Sequence, residues 1–326
     1  MKKTLTTIAL TITGLIGFAQ QDAQFSMNMF NKLSVNPGYT GINHALCGTL
    51  FYRQQWTSFP GAPKTALISL DYGKILGGGI GLTVDQDQLG FDKTLKAKLS
   101  YSYHLSLGGL GTLGIGLDAG MIQKSIKGNF IAPDGTTSTT PGTDQSIPWG
   151  GTSATTYDVG FGLYFTDNTN RLYVGLSSLH LPDQTLTNSG GSAATGVYDF
   201  QYQMARHYYI MAGYRFDIGR DFSLTPGVLT KSDASSTQVD INLLAKWRNM
   251  VFVGVSYRLT DAIPVMAGLE WPLKNNQTTV KFGYAYDITL SQIKTYSNGT
   301  HEIMLGFCQK FEKPPHRQSH QNVRFL

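Results

Sequence analysis

The sequence contains no run of 18 or more apolar residues, which argues against helical membrane spans. Charge is scarce at 14% of residues, too little for a chain of charged amphipathic helices, a coiled coil or a disordered tail. Cysteine is limited to Cys47 and Cys308, and the histidines are dispersed. Only His316 and His320 have a ligand-like spacing, in a tail rich in Lys, Arg and Pro. With neither a CxxC nor a third clustered ligand, this argues against a metal site. No nucleophile elbow or other catalytic signature appears. Gly109, Gly111 and Gly114 match the letters of a dinucleotide fingerprint, but an alternating stretch follows them where a helix is required. No cofactor and no enzyme activity are expected.

What is abundant is glycine, 37 of 326 residues, together with 17 Tyr and 17 Phe. That combination points to many aromatic strands in one large β domain. At the start, Lys2 and Lys3 precede the apolar stretch Leu5 to Phe18, and Gly17-Phe18-Ala19 forms a small-x-small cleavage site. Residues 1–19 therefore read as a secretory signal peptide. Removing it lowers the formal charge of +5 to about +3, spread over both signs, so nucleic acid is not an expected partner. No cysteine stands at the new terminus to carry a lipid.

Residues 20–44 form a separate segment. Phe25, Met29, Phe30 and Leu33 fall at helix-like spacing, and Asn36-Pro37-Gly38 ends it in a turn. From Ala45 to Phe311 the chain reads as fourteen strands with period-two alternation: 45–56, 64–73, 76–87, 92–107, 110–125, 155–166, 170–180, 205–219, 221–232, 235–248, 250–260, 262–273, 277–290 and 299–311. Val251, Val253, Val255, Tyr257 and Leu259 share one face, with Gly254, Ser256, Arg258 and Thr260 on the other. Leu95, Ala97, Leu99, Tyr101 and Tyr103 likewise oppose Lys96, Lys98, Ser100 and Ser102.

A soluble sandwich would alternate too, so loop parity matters. The longest connections, about 29 residues at 126–154 and about 24 at 181–204, follow odd strands, whereas all even connections are short. This is the pattern of an outer-membrane antiparallel β-barrel with both termini periplasmic. Tyr72, Trp247 and Trp271 end strands that run toward that side, as an aromatic girdle would. Asp118, Asp158, Asp240 and Asp287 then face the lumen among Lys96, Lys98, Arg215, Arg258 and Lys281. Salt bridges explain such a lumen without catalysis, and the same charges could line a pore. Closing the ring brings Cys47 and Cys308 to its seam, where register decides whether a disulfide forms.

Three stretches carry a resemblance to a known family. They are Asp22-Ala-Gln-Phe25-Ser26 with Asn36-Pro37-Gly38-Tyr39-Thr40-Gly41; Arg53-Gln54-Gln55-Trp56 with Phe59 and Gly61-Ala62-Pro63; and, more loosely, His301-Glu302-Ile303 with the final Asn322-Val323-Arg324-Phe325-Leu326. On these the chain resembles the PorP/SprF outer-membrane proteins of type IX secretion and gliding in Bacteroidota. Ala23 stands where the family often has Pro, and Gly38 and Thr40 where it has Ala. The resemblance implies a non-enzymatic barrel of about fourteen strands acting with secretion components or secreted cargo, some members being linked to surface adhesins.

The expected organisation is thus signal peptide 1–19, plug or periplasmic segment 20–44, barrel 45–311 and basic periplasmic tail 312–326. Arg53, Gln54, Gln55, Trp56, Phe59, Pro60 and Pro63 are expected to form a stiff external rim loop that docks a partner. Phe25, Met29, Phe30 and Leu33 are expected to fill the lumen, since they would otherwise face water. Expected partners are type IX secretion components or cargo and outer-membrane lipid, with no small-molecule substrate. The competing expectation is a pore for small solutes.

Overall fold

The computed structural model describes residues 22–126, 152–188, 200–273 and 277–311. The expected signal peptide, the tail 312–326 with His316 and His320, and most of the connection 126–154 lie outside the described residues. Seventeen strands are described. The first seven are β1 Ala45–Gln54, β2 Lys64–Ile75, β3 Gly78–Leu89, β4 Asp92–Ser106, β5 Gly111–Ile126, β6 Thr152–Asp167 and β7 Leu172–Leu179. A short pair follows, β8 Thr185–Asn188 and β9 Phe200–Gln203. Then come β10 His207–Tyr214, β11 Phe216–Ile218, β12 Phe222–Ser232, β13 Thr237–Trp247, β14 Val251–Arg258, β15 Ala262–Pro272, β16 Thr278–Thr289 and β17 Thr300–Lys310.

These strands close into a fourteen-strand antiparallel barrel. Neighbours in sequence pair around the ring, β7 pairs with β10 across the β8–β9 hairpin, and β1 pairs with β17 over ten residues from Ala45↔Lys310 to Gln54↔His301. β11 prolongs β10 past Arg215 and pairs only with β12, so the two form a single stave. Each of the fourteen strands expected from alternation corresponds to one stave. The differences lie at the rims. The stretch 181–204 carries the extra β8–β9 hairpin, whose four-residue strands are too short to leave an alternation signal. It is held by a small apolar cluster of Ile122, Ala154, Leu186 and Met204.

Alternation sorts the two faces. Leu99, Leu117 and Met121 lie outward and are more than half exposed, as are many other apolar side chains of the staves. So large a continuous apolar surface requires hydrocarbon around it. Among the described residues no helix is long and apolar enough to cross a membrane; the strands do so. We call the end where β1 begins and β17 finishes the near end. The β1–β2, β5–β6, β7–β10 and β16–β17 connections emerge at the opposite, far end.

A fourteen-strand ring is too wide for its own side chains to fill. The segment Asp22 to His44 occupies the lumen instead. It folds as three short turns, Asn28–Phe30, Lys32–Val35 and Pro37–Tyr39, each too brief to stand alone. Phe25 and Met27 are buried with Phe51, Leu67, Phe252 and Met304 of the wall, and Ala23, Met29 and Phe30 pack against that cluster.

Candidate functional site

The lumen segment is bound to the wall at successive levels, beginning near the far end. Inward positions on β1 are the odd ones, so Arg53 shares a face with Cys47 and Phe51 and is buried, not on the rim. This corrects its expected place in the docking loop: strand parity turns it into the barrel. There its guanidinium donates to Ser26 Oγ at 2.7 Å, to Asp287 Oδ2 at 2.8 Å and to Glu302 Oε2 at 3.0 Å. Glu302 in turn accepts the backbone N–H groups of Ser26 at 2.7 Å and Met27 at 2.8 Å. Ser26 Oγ donates to Asp287 at 2.6 Å. Arg258 extends the network to Asp240 at 3.2 Å and Asp287 at 3.5 Å, and donates to the Phe25 carbonyl at 3.4 Å. Buried charges persist only when paired this fully.

Asp22 lies at the same depth on the opposite wall. Lys96 approaches its carboxylate at 2.5 Å, the Tyr209 hydroxyl donates to it at 2.8 Å, and Lys231 donates to its backbone carbonyl at 2.6 Å. Burial alone would raise the Asp22 pKa, but Lys96, His180 and His207 hold it well below the usual carboxylate range.

Midway down, Phe30 packs at a tilt against Phe252, with ring centroids 4.9 Å apart. Lys32 sits 3.4 Å above the Tyr173 ring centroid and donates to the Tyr164 hydroxyl at 3.1 Å. Burial, with Lys246 and Lys281 alongside, lowers the Lys32 ammonium to about 7. Leu33 is buried as well.

Asn36-Pro37-Gly38 is received by a trough that β5 and β6 form by carrying no side chain there. A Cβ at Gly116 would lie 2.3 Å from the Pro37 carbonyl carbon, and one at Gly162 would lie 2.2 Å from Asn36 Oδ1. Asn36 donates to the Leu163 carbonyl at 3.0 Å, and Ser102 donates to the Gly38 carbonyl at 3.0 Å. Gly41 closes the run at φ +70°, where its N–H donates to Asp71 at 3.0 Å and a Cβ would meet Gly79 Cα at 2.6 Å. Below this level the lumen opens at the near end into a cavity of about 560 Å³, its lining including Lys32, Tyr164, Tyr173, Glu270 and Lys281.

The remaining expected site residues are spread. Gln54, Gln55, Trp56 and Pro63 are half-buried, while Phe59 and Pro60 are exposed at the far rim. The loop is anchored by Gln55 N–H to the Pro63 carbonyl at 2.9 Å and Thr57 N–H to the Gly299 carbonyl at 2.8 Å. Cys47 and Cys308 face each other in register and are bonded, with Cα atoms 4.1 Å apart. Of the expected lumen charges, Lys98 pairs with Asp158 at 2.6 Å and Lys281 with Glu270 at 3.8 Å. Arg215 instead pairs with Asp217 at the exposed near rim, because the β10–β11 break places it beyond the lumen.

Residues 17–307 match the family described as type IX secretion system membrane protein PorP/SprF. The chain belongs to this family. The three stretches that carried the resemblance thus meet inside the PorP/SprF barrel: Ser26 of the first and Arg53 of the second share Glu302 of the third. A comparison with curated proteins gave no match. Among solved structures, the Ralstonia pickettii toluene transporter TbuX aligns at TM-score 0.49 and 10% identity, covering 85% of this chain and 92% of that one. The monoaromatic hydrocarbon channel CymD aligns at 0.48 and 12%, covering 92% and 97%. The Pseudomonas putida toluene transporter TodX aligns at 0.45 and 8%, covering 83% and 90%.

Sequence reading missed Glu302, Asp287 and Asp22 as wall and segment anchors. Parity from Cys308 back along the last strand would have turned Glu302 inward. No local signal marks the β5–β6 trough, since glycine is frequent throughout.

Proposed function

We propose that this PorP/SprF protein is a non-enzymatic outer-membrane scaffold of type IX secretion. In this reading it recognises or anchors secreted cargo, or links the outer membrane to the periplasmic secretion complex, with its lumen kept shut by its own N-terminal segment. The observation that supports it most is the network joining Ser26 and Met27 of that segment to Arg53, Asp287 and Glu302, all nearly inaccessible to solvent. A constitutive pore would have little use for a stopper held by so many buried charge-assisted bonds.

The far end carries the long connections and the Phe59–Pro60 rim, and we place it outside the cell, with the near-end cavity and the tail in the periplasm. Partner contact falls to the far loops and the exposed near end. The test has two arms. Purified barrel in a planar bilayer should give no steady conductance, whereas a large steady conductance would favour the small-solute pore. Deleting 127–151 should leave barrel assembly intact and lower recovery of a surface partner in pull-downs; unchanged recovery would refute cargo docking by that loop.

A further inference from the structure

Where the lumen segment starts, it meets two histidines from separate parts of the wall. Metal-binding atoms of Asp22, His180 and His207 all lie within 4.8 Å of one another. His180 Nε2 is 3.1 Å from Asp22 Oδ1, and His207 Nδ1 is 4.0 Å from Asp22 Oδ2. The two imidazoles meet edge to face, with centroids 5.5 Å apart.

Both rings are also held from outside the cluster. His180 Nδ1 is 2.9 Å from Asp158 Oδ2, and His207 Nδ1 is 3.1 Å from the Ala205 carbonyl. A carboxylate behind the ring is the support that metal-binding imidazoles use, because it fixes the tautomer and raises ligand basicity, and Asp158 gives it to His180. Nδ1 is the His207 nitrogen on the Asp22 side, so a metal taking it would replace the Ala205 contact. His207 Nε2 is buried and has no hydrogen-bond partner, so this ring is incompletely satisfied as it stands.

The surroundings are rich in carboxylates: Asp22, Asp85, Asp118 and Asp158 lie around Lys96 and Lys98, and Lys231 donates to the Asp22 backbone carbonyl. A cavity of about 40 Å³ bordered by Asp22, Asp85, Lys96, His180 and Tyr209 lies beside two of the three groups and has room for a water.

We propose that Asp22, His180 and His207 form a binding site for a divalent transition metal of the zinc class, which pins the start of the lumen segment to the barrel wall. Two imidazoles and a carboxylate suit zinc, copper and nickel, with a water completing the coordination. Lys96 is the competitor for Asp22 Oδ1. A metal taking that oxygen leaves Lys96 to Asp85, already 3.6 Å away, while Tyr209 keeps Oδ2.

The experiment uses the full mature barrel, tag-free and stripped with chelator, titrated with zinc chloride by calorimetry in detergent. About one ion should bind per barrel. Affinity should fall at least 100-fold in His180→Ala/His207→Ala, fall about 10- to 100-fold in Asp158→Asn, rise in Lys96→Met, and stay unchanged in His316→Ala/His320→Ala. Heat-modifiable migration on gels reports folding of each variant. Copper(II) bound to the unmutated protein supplies a readout that needs no variant, since its paramagnetic resonance spectrum should show nitrogen couplings from two imidazoles. Absence of saturable binding, equal affinity in the double histidine variant, an oxygen-only copper spectrum, or loss of the signal in the tail variant would each overturn the proposal.

Discussion

Replacing Arg53 by Met removes three donated bonds at once, to Ser26, Asp287 and Glu302, from a site that excludes solvent. In the intact protein two guanidinium groups, Arg53 and Arg258, face four carboxylates, the buried Asp240, Asp287 and Glu302 and the partly exposed Asp261. Without Arg53 a single guanidinium remains, and it lies 3.5 Å from Asp287 and makes no ion pair with Glu302. Breaking one side of a buried pair costs about 3–5 kcal/mol. Much of that penalty can be relieved by releasing the segment and admitting water, because Glu302 and Asp287 are bonded to Ser26 and Met27 and not to another stave's backbone. A shift of about 3 kcal/mol raises the opening equilibrium roughly a hundredfold. Hydrogen exchange of the Ser26 and Met27 amides should accelerate by about that factor while strand amides keep their protection. The double variant Arg53→Met/Glu302→Gln should recover part of the protection, since it removes one stranded charge. Unchanged exchange at Ser26 and Met27 in Arg53→Met, or equal acceleration across the strands, would refute the assignment of this network as the segment's lock.

Three further outcomes follow from the geometry. Gly116→Val should expel Asn36-Pro37-Gly38 from its trough, because the added carbon would lie 2.3 Å from Pro37; bilayer recordings should then show conductance absent from the parent protein. Lys32 binds its proton less tightly when folded, at about 7, than when unfolded, near 10.5, so stability rises as pH climbs from about 7 toward 10.5 and is lowest below 7. Protease protection of the segment should follow that curve, and Lys32→Met should flatten it. Replacing both Cys47 and Cys308 by Ser removes a cross-link across 261 residues, and loss of such a link typically costs about 2–4 kcal/mol; the temperature at which the gel mobility shift occurs should fall, with the barrel still assembling.

The staves were legible because each is a long stretch with two faces in different solvents. In β4, Lys96 and Lys98 between Ala97, Leu99 and Tyr101 admit only one register relative to the membrane. The apolar spacing of Phe25, Met29, Phe30 and Leu33 was legible for a similar reason, as these side chains need cover. What sequence could not supply was which wall residue meets which segment residue. Arg53 was read with its neighbours Gln54 and Trp56 as part of one rim loop, although parity separates it from both. The Asp22, His180 and His207 cluster was invisible because its members are 158 and 27 positions apart and only barrel closure unites them. Local motif spacing detects sites built on one helix or loop; it does not detect sites assembled across a ring.

The lock also bears on the order of assembly. Arg53 and Glu302 are directly paired across the β1–β17 seam, one position from the far end of a register that holds Cys47 and Cys308 toward its other end. Glu302 lies 275 residues after Met27, so neither the seam nor the segment's main acceptor exists until the last strand arrives, and closing so long a loop is entropically unfavourable until side-by-side strand pairing offsets it. The segment's Ser26 and Met27 amides therefore find their partner only on a closed ring. The same holds in reverse: a loosened seam shifts Glu302 against Arg53 and weakens the hold on the segment. Closure of the wall and closure of the lumen are thus coupled through one carboxylate, and a perturbation confined to either should register at both.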